Sequence, residues 1–341
     1  MERNEFETES RTSYKRSQMK PKKRRSVLRT SLLVFFALIL CATGAGAYGL
    51  HKLSPSNHFN HLTAIGNPDG NYKQKSGVFN ILLIGSDARK GDSVGHTDSM
   101  ILVHADLNNH KYNVMSIPRD TRVYVPGEGY TKLTSVQYIS QIKHGPKQGI
   151  IDTVKAVSNL TGVPINYYAE TNYQGLQNMV DAIGGIEMNV PFNVTFTHPW
   201  YKEDKNMTIT AGTHQLNGKM ATEIVHERDS VPGTDFGRQK MQAQALIAIA
   251  KKVMEPANIT KLPALADSMS KFLVATNMTT EDMVSIGLGV KNDFHPDKQI
   301  HYFQAKGTGQ VMYDDVLKAN NDEFILDPHQ LNDIVQKYFK S

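Results

Sequence analysis

The stretch "VFNILLIGSDARKGDSVGHTDSMILVHADLNNHKYNVMSI", Val78–Ile117, contains three short apolar runs separated by polar linkers. The runs are Val78–Gly85, Ser99–Ala105 and Tyr112–Ile117. Runs that are almost continuously apolar, rather than apolar at alternate positions, are typical of strands covered on both faces. The linker "DLNNHK" has the composition of a turn, so the second and third runs are predicted to form a hairpin.

Helical and strand-like patterns alternate downstream of this stretch. Helices are predicted at Gly149–Leu160, Asn172–Gly185, Leu216–Asp229 and Thr234–Met254, with two more in the C-terminal third and a final helix from about Pro328. Further strands are predicted at Ile165–Thr171, Ile186–Pro191 and Gln299–Ala305. The alternation predicts an α/β fold in which a central mixed β-sheet is flanked by helices.

The positive charge of the chain is concentrated at its N-terminus. The sequence pI is about 9.0. Residues 1–29 hold 10 of the 38 Lys/Arg and 4 of the 33 Asp/Glu, so the other 312 residues hold 28 basic and 29 acidic side chains. A near-neutral body argues against a nucleic-acid partner, because such proteins present a basic face.

An uncharged stretch of 21 residues, Thr30–Leu50, follows the basic tail. At a rise of 1.5 Å per residue it spans about 31 Å, close to the thickness of one hydrocarbon core. The positive-inside rule then predicts a single-pass type II protein of the cell membrane with its C-terminal part outside. Cleavage as a signal peptide near Ala45–Ala47 is an alternative, and lipidation of Cys41, the only cysteine, is disfavoured by the bulky Leu40. The predicted organisation is a cytoplasmic tail (1–29), a transmembrane helix (30–50), an extracellular stalk (51–76) and an extracellular catalytic domain (77–341, with its motifs in 78–254).

The first of three charged clusters lies between the first two predicted strands. Asp87 and Arg89 follow one strand, and Asp98 begins the next. Two carboxylates around a glycine-rich loop indicate an oxygen-ligand site for Mg²⁺ (or Mn²⁺), which binds few carboxylates and shares its other positions with water and phosphate. The alternative is an ordinary turn with a solvated aspartate.

The second cluster follows the third strand, in "SIPRDTRVYVPG" (Ser116–Gly127). Proline cannot donate to a sheet, so Pro118 ends the pairing and the charged side chains after it can project from the sheet end. The cluster comprises Arg119, Asp120, Arg122 and, a little further on, Lys132. Guanidinium groups match phosphate oxygens in pairs, whereas the plainer interpretation is a surface salt-bridge network.

The third cluster is "HERDSVPGTDFGRQKMQ", His226–Gln242. Arg228 ends one predicted helix and Asp235 begins the next, where free N–H groups favour anions, although Asp235 could simply cap that helix. Arg238 and Gln242 are four residues apart and share one helix face. Together the three clusters favour binding of a phosphate ester or pyrophosphate with a divalent metal.

Several other site types are excluded by the sequence. The 13 histidines show no HExxH spacing and a single cysteine forbids CxxC, so zinc chemistry is not supported. Neither a GxSxG elbow nor a GxxxxGK[ST] loop occurs, which excludes the usual serine hydrolases and P-loop NTPases. Trp200 and the other aromatic residues are predicted to belong to the core.

In their order behind a single membrane anchor, the clusters resemble the LytR-CpsA-Psr family of Gram-positive cell-envelope proteins. The resemblance runs from about Val78 to Met254 and is carried by "NILLIGSDAR", "HTDSMILV", "SIPRDTRVYVPG", "YYAETNYQGLQNMVDAIGGIEMNVP", "LNGKMA" and "GTDFGRQKMQ". It implies a phosphotransferase that moves an anionic glycopolymer from undecaprenyl pyrophosphate to peptidoglycan. The polymer, whether teichoic acid, capsule or secondary polysaccharide, stays open.

The resemblance also implies roles for individual residues. Asp87 and Asp98 would hold the metal. The pyrophosphate would be bound by Arg119, Arg122, Arg228, Arg238 and Gln242, with Arg89 and Lys132 completing the cationic wall. Arg119, Asp120, Arg228 and Asp235 would be the catalytic residues, the two aspartates orienting the cations or relaying a proton. Apolar helix faces between Gly149 and Met254 could line a pocket for the polyprenyl tail.

The chain departs from the family pattern at three places. His226 occupies the position where the family often has the first arginine of Arg-x-Arg. Lys132 is followed by Leu-Thr-Ser, whereas the family usually has Ile-Asn-His there. Met241 replaces the second arginine of the helix motif. Alternative functions are a membrane-bound transcriptional regulator, as early naming in the family suggests, and a polyprenyl-pyrophosphate hydrolase or binder. The regulator is disfavoured because the basic tail has no helix-turn-helix pattern.

Overall fold

The three apolar runs form adjacent strands in the middle of a sheet. The computed structural model describes residues 51–340, apart from 69, 71, 74, 90–94 and 292. The strands are β1 (Val78–Ser86), β2 (Thr97–Asp106), β3 (Lys111–Ile117), β4 (Arg122–Val125), β5 (Gly129–Lys132), β6 (Tyr167–Asn172), β7 (Ile186–Val190), β8 (Val194–Thr195), β9 (Thr208–Ile209), β10 (Gly212–Leu216), β11 (Ala275–Thr276), β12 (Ile300–Gln304), β13 (Gly307–Asp314) and β14 (Ala319–Leu326).

Helices cover the sheet and connect its strands. They are α1 (Pro55–His58), α2 (Leu133–His144), α3 (Pro146–Thr161), α4 (Tyr173–Ala182), α5 (Gly218–His226), α6 (Asp235–Val253), α7 (Pro256–Ile259), α8 (Leu262–Ser270), α9 (Thr280–Val290), α10 (Pro296–Gln299) and α11 (Pro328–Tyr338), with a short 3₁₀ helix at Lys202–Asp204. Among the described residues, none of the helices combines the length and hydropathy that crossing a membrane requires. The predicted tail and span, 1–50, lie outside the described residues.

The central sheet has six strands in the order β11-β6-β1-β2-β3-β12. β1, β2 and β3 pair antiparallel with their chain neighbours, which confirms the predicted hairpin of the second and third runs. β6 is parallel to β1, and β12 is parallel to β3. The predicted mixed sheet flanked by helices is therefore confirmed.

The two faces of the sheet carry different apolar side chains because consecutive residues of a strand point to opposite sides. Leu82, Leu102 and Met115 belong to a cluster that is filled by α2, α3 and α11, and we call this side the packed face. Ile81 and Ala105 point to the other side, toward α4, α6, α8 and α9, which we call the open face.

Two small ribbons, which sequence reasoning missed, stand beside the packed face. β4 and β5 form one antiparallel hairpin, and β13 and β14 form the other. Val123 of β4 is buried in the cluster of the packed face, and the backbone N–H of Phe324 in β14 donates to the carbonyl of Asp120 at 2.8 Å. The ribbons therefore extend the structure outward from the end of β3.

The segment predicted as a stalk, 51–76, differs from that prediction because part of it packs on the domain. Phe59 is fully buried, with its ring centroid 4.6 Å from that of Phe79. Gly66 forms a backbone bridge with Ile165. A single aromatic residue in a polar stretch has no periodicity to reveal it, yet its burial stabilises by about 2 kcal/mol.

Candidate functional site at the end of the central sheet

The register of the central strands brings three predicted positions to one edge of the sheet. Ser86 at the end of β1 pairs with Thr97 at the start of β2, and Met100 pairs with Ile117 at the end of β3. Asp87 directly follows Ser86, Asp98 directly follows Thr97, and Arg119 lies two residues beyond Ile117, so all three lie at that edge.

Asp98 and Arg119 form the centre of the site. The Nη1 group of Arg119 donates to Asp98 Oδ1 in a close ion pair. Burial of the guanidinium disfavours its charge, but Asp98 and Asp120 outweigh burial and raise the pKa of Arg119. Arg119 is therefore held charged at a partly buried position.

The N-terminal turn of α6 supplies a second guanidinium. Arg238 is 4% exposed, pairs with Asp235 one turn earlier, and donates from Nη2 to the backbone carbonyl of Asp98 at 3.1 Å. Asp235 also accepts from Gln239 Nε2 at 2.7 Å. Thr234, just before the helix, has φ 49°, a left-handed conformation that strains a β-branched residue.

Gln242 continues the same face of α6 one turn further in. Its Oε1 accepts the Ser99 hydroxyl at 2.9 Å, which ties α6 to β2. Gly237 allows the link before α6 to pack closely on the first turn of the helix, because a Cβ there would lie 2.6 Å from the carbonyl oxygen of Pro232. Arg238 and Gln242 thus face the start of β2, where Arg238 contacts Asp98 and Gln242 contacts Ser99.

Lys132 and Asp120 extend the charges on the other side of Arg119. Lys132 Nζ lies 3.1 Å from Asp120 Oδ1, and Asp120 Oδ2 lies 3.9 Å from Arg119 Nε. Asp98, Arg119, Asp120 and Lys132 therefore form a row of alternating charge, which we call the charged row.

Arg122 has a different environment from Arg119. Its Nη1 forms a close ion pair with the fully buried carboxylate of Glu323 and donates to the carbonyl of Tyr313 at 3.1 Å. Its guanidinium carbon lies 4.4 Å from the ring centroid of Tyr130. These contacts tie together the two ribbons, and a role of Arg122 in pyrophosphate binding stays a prediction.

Asp87 closes the loop between β1 and β2. Its Oδ1 accepts the backbone N–H of His96 at 2.7 Å, and its Oδ2 is 3.6 Å from His96 Nδ1. The hydrogen bond from His96 holds the pKa of Asp87 below its usual value, and the same contact raises the pKa of His96. The imidazole stacks on Tyr138 with ring centroids 4.5 Å apart.

Arg89 and Arg228 lie at more exposed positions. The Arg89 guanidinium carbon is 5.0 Å from the ring centroid of Trp200. Arg228 is 45% exposed as a side chain and pairs with its neighbour Asp229 at 3.3 Å. The structure places Arg228 in the link between α5 and α6, outside the charged row, so its predicted catalytic role stays a prediction.

Two aromatic residues that were predicted to lie in the core, Tyr173 and Trp200, border the site together with His226. Tyr173, the first residue of α4, contacts Trp200 and His226, with ring centroids 5.3 and 4.9 Å away. Burial raises the pKa of Tyr173 to about 12, and the nearby charge of Asp98 raises it further. The charges of Arg238 and Arg119 lower it in part. Tyr173 follows the strand end of β6, and this is the same signal that identified Arg119.

Trp200 is 36% exposed rather than in the core. The buried carboxylate of Glu223 accepts the backbone N–H groups of Trp200 and Tyr201 at 2.9 and 2.8 Å. Burial lowers the pKa of His226, the charge of Glu223 raises it in part, and the charge of Arg238 lowers it further. This imidazole therefore favours its neutral form. The replacement of a family arginine by His226 thus leaves an uncharged ring here.

A cavity of about 500 Å³ opens beside the charged row on the open face of the sheet. Its walls are side chains of β1, β2, β3, α4, α6, α8 and α9, almost all of them apolar, such as Ile81, Ile101 and Leu246. Its polar end is lined by Asp98, Ser99, Tyr173 and Gln242. The walls extend past Met254, to Ile300, so the cavity includes elements beyond those expected from the sequence.

The carboxylate oxygens of the site suit a metal ion whose remaining positions are filled by oxygens of a bound phosphate and of water. Within the described residues, no group of three or more His, Cys, Asp or Glu could hold a metal. Mg²⁺ needs only one or two carboxylates when phosphate and water supply the other oxygens. Asp98 gives one oxygen to Arg119, and a carboxylate accepts several bonds, so Asp98 and Asp87 retain capacity for such a metal.

Comparisons with known proteins agree with this fold. The LytR_cpsA_psr family model matches residues 47–340. The polyisoprenyl-teichoic acid–peptidoglycan teichoic acid transferase TagV of Bacillus subtilis is 27% identical over 317 residues, 90% of this chain and 76% of that protein. TagU of Bacillus cereus, with the same transferase description, is 32% identical over 243 residues, 71% of this chain and 73% of that protein.

A solved structure extends the likeness to the fold. The crystal structure of B. subtilis TagV is 26% identical, with a TM-score of 0.62 over 77% of this chain and 97% of that one. The match of the family model covers the whole described domain, including the ribbons and α11. The chain belongs to the LytR-CpsA-Psr family.

Proposed function

We propose that this protein is a membrane-anchored phosphotransferase that moves an anionic glycopolymer from undecaprenyl pyrophosphate to peptidoglycan. The single observation that carries the proposal is the junction of the charged row with the apolar cavity, which share Asp98. A polyprenyl pyrophosphate has this combination of a long apolar tail and a compact anionic head. The description of TagU and TagV as teichoic acid transferases supports the same class of reaction.

Two buried guanidinium groups support binding of the head group. In the described part of the chain, Nε of Arg119 and Nε of Arg238 are buried without a hydrogen-bond partner. Buried donors are nearly always satisfied, so two unsatisfied ones on arginines that contact Asp98, a residue lining the cavity, favour a bound acceptor. Phosphate oxygens satisfy guanidinium donors especially well.

The chemical step exchanges one phosphate ester for another. A peptidoglycan sugar hydroxyl attacks the phosphorus nearest the glycan, a new P–O bond forms, and the bond to the bridging oxygen breaks. The electron pair leaves with polyprenyl phosphate, and Asp120 or Asp235 accepts the hydroxyl proton. Arg119 and Arg238 stabilise the charge that develops on the phosphoryl oxygens.

Asp87 and Asp98 would hold Mg²⁺ (or Mn²⁺) against the pyrophosphate. When bound, the metal supplies charge neutralisation on the phosphoryl oxygens. Around it, Arg119 keeps Asp98 oriented through their ion pair, and His96 does the same for Asp87. Arg89, Arg228 and Lys132 would add positive charge for binding the pyrophosphate.

Residues 30–50 are proposed to anchor the protein in the cell membrane, with the catalytic domain outside. This orientation places the site in the compartment where peptidoglycan is assembled, and it places the basic tail 1–29 against the anionic inner surface. Protease added to intact protoplasts should then remove the domain and leave the tail.

Transfer by the purified full-length protein tests the function. Arg119→Ala should lower the rate of transfer from a polyprenyl-pyrophosphate glycan to peptidoglycan by at least about 100-fold, because a transition-state donor is lost. Lys240→Ala removes a charge from an exposed position of α6 and should leave the rate unchanged. Undiminished transfer by a folded Arg119→Ala protein would overturn the assignment, and release of free polymer without acceptor would identify a hydrolase.

A further inference from the structure

The outer face of the β4–β5 hairpin exposes two tyrosines. Tyr124 and Tyr130 are directly opposite each other in the ladder, with ring centroids 5.2 Å apart and an interplanar angle of 66°. They are 60% and 45% exposed, whereas Val123 and Thr131 on the other face are buried. We call Tyr124 and Tyr130 the tyrosine pair.

The neighbouring ribbon enlarges this exposed surface. Val311, Tyr313 and Leu317 of the β13–β14 ribbon are 68%, 51% and 59% exposed. Arg122 joins the ribbons by contacting both the Tyr130 ring and the carbonyl of Tyr313. Exposed apolar side chains grouped on neighbouring ribbons of a domain favour an interaction site there.

The tyrosine pair is continuous with the charged row. Tyr130 and Lys132 lie on the same face of β5, about 6.6 Å apart along the strand. Lys132 contacts Asp120, which lies beside Arg119. A chain molecule lying on the tyrosine pair would therefore extend toward the charged row.

The geometry of phosphoryl transfer then distinguishes the two sides of the charged row. Attacking and leaving oxygens lie roughly in line on opposite sides of the phosphorus. The leaving polyprenyl phosphate belongs to the cavity, on the open face of the sheet, whereas Val123 places the β4–β5 hairpin with the packed face. The attacking hydroxyl therefore approaches from the side of the tyrosine pair.

We propose that the tyrosine pair is the platform that binds the sugar rings of the acceptor peptidoglycan strand. This inference rests on the proposed transferase function and assigns the place of its second substrate. Tyrosine combines a rigid apolar ring, which covers the C–H face of a sugar, with a hydroxyl that bonds to sugar hydroxyls. Arg122 under Tyr130 fixes the platform through its contact with the ring.

Binding to peptidoglycan sacculi, stripped of attached polymers and offered without donor lipid, tests the platform directly. Tyr124→Ala should weaken binding of the full-length protein about tenfold, because a central aromatic contact is lost. Tyr124→Phe keeps the ring and should retain most of the affinity. Ile142→Ala, which removes a 58% exposed apolar side chain from α2, is the matched control and should bind as the wild type does.

Transfer kinetics separate acceptor from donor. In Tyr124→Ala the KM for acceptor should rise about tenfold, while the KM for the lipid-linked donor stays unchanged. Wild-type affinity of Tyr124→Ala for sacculi would overturn the inference and leave the transferase function intact. If Tyr124→Ala loses self-association but keeps its binding to sacculi, the inference is also overturned, because the tyrosine pair then contacts a second copy of the chain. If the wild type binds sacculi through Tyr124 but transfers nothing, the proposed function fails and the platform stands.

Discussion

The two faces of the central sheet are built from the same three strands but differ in how completely they are filled. On the packed face, Leu82, Leu102 and Met115 meet the side chains of α2, α3 and α11. On the open face, alternate residues of those strands line a cavity of about 500 Å³. Protein interiors are close-packed, and a large hole forfeits dispersion contacts. One face therefore maintains the fold, while the other keeps space for a ligand.

The largest difference in stability is expected between alanine variants of two nearby arginines, Arg122 and Arg119. Arg122→Ala leaves the Glu323 carboxylate buried without its cation and should lower the free energy of unfolding by about 3–5 kcal/mol. Arg119→Ala leaves Asp98 at the mouth of the cavity and should cost less than about 2 kcal/mol. Urea unfolding followed by circular dichroism measures both. Arg122→Met combined with Glu323→Leu should recover most of the loss, and equal losses for the two single variants would contradict the contrast.

Adjacent residues of β2 test the two faces directly. Leu102 lies on the packed face and Ile101 on the open face, 0% and 3% exposed. Leu102→Ala should cost about 3–4 kcal/mol, because a closely packed site cannot collapse. Ile101→Ala should cost about 2 kcal/mol, since its side chain already borders a cavity. The midpoints of urea unfolding give the difference, and a larger loss for Ile101→Ala would reverse the assignment of the faces.

Filling the cavity should separate stability from activity. Ala250 lines the cavity, whereas Ala305 is fully buried in the packed face. Ala305→Phe should destabilise by about 1–3 kcal/mol through overpacking. Ala250→Phe should change stability by less than about 1 kcal/mol, because space is available, but it should weaken binding of a polyprenyl pyrophosphate measured by calorimetry. Unchanged lipid binding would exclude the cavity as the site of the tail.

The smallest effect is expected at His96, on the rim of the site. Its contact with Asp87 raises its pKa above the usual value near 6.5, so the pair is formed at lower pH. Its contribution to stability is complete below the usual histidine pKa and is lost as pH rises through the raised value. An NMR titration of metal-free protein should show the His96 pKa fall in Asp87→Asn. Asp229→Asn, at a pair outside the charged row, should leave it unchanged.

Much of the fold was predictable because its signals are local. The runs of β1, β2 and β3 were continuous in sequence, and the predicted helix Thr234–Met254 is observed as Asp235–Val253. The meeting of Asp98, Arg119, Arg238 and Gln242 was also accessible, since strand ends and helix starts share one edge of a mixed sheet. These predictions rested on periodicity and on adjacency of elements.

The rest depended on partners far apart in the chain. Arg122 resembles Arg119 in sequence, and only Glu323, about two hundred positions later, gives it a different environment. The cavity was not predictable, because apolar residues that line a cavity have the same sequence pattern as apolar residues in a filled core. Phe59 and Trp200 were misplaced for a related reason: a lone aromatic side chain does not specify whether another element will cover it.

The position of β12 has a consequence for how the protein matures. Ile300–Gln304 completes the sheet beside Lys111–Ile117, and the carbonyl of Tyr338 accepts from the Asn113 side chain at 2.7 Å. β3 is synthesised early but pairs with a strand near the end of the chain, and closing the long loop between them is slow. The domain cannot finish folding until β12 and α11 are available, so its partly folded form exposes an unpaired edge of β3. A chaperone would be most needed during that interval.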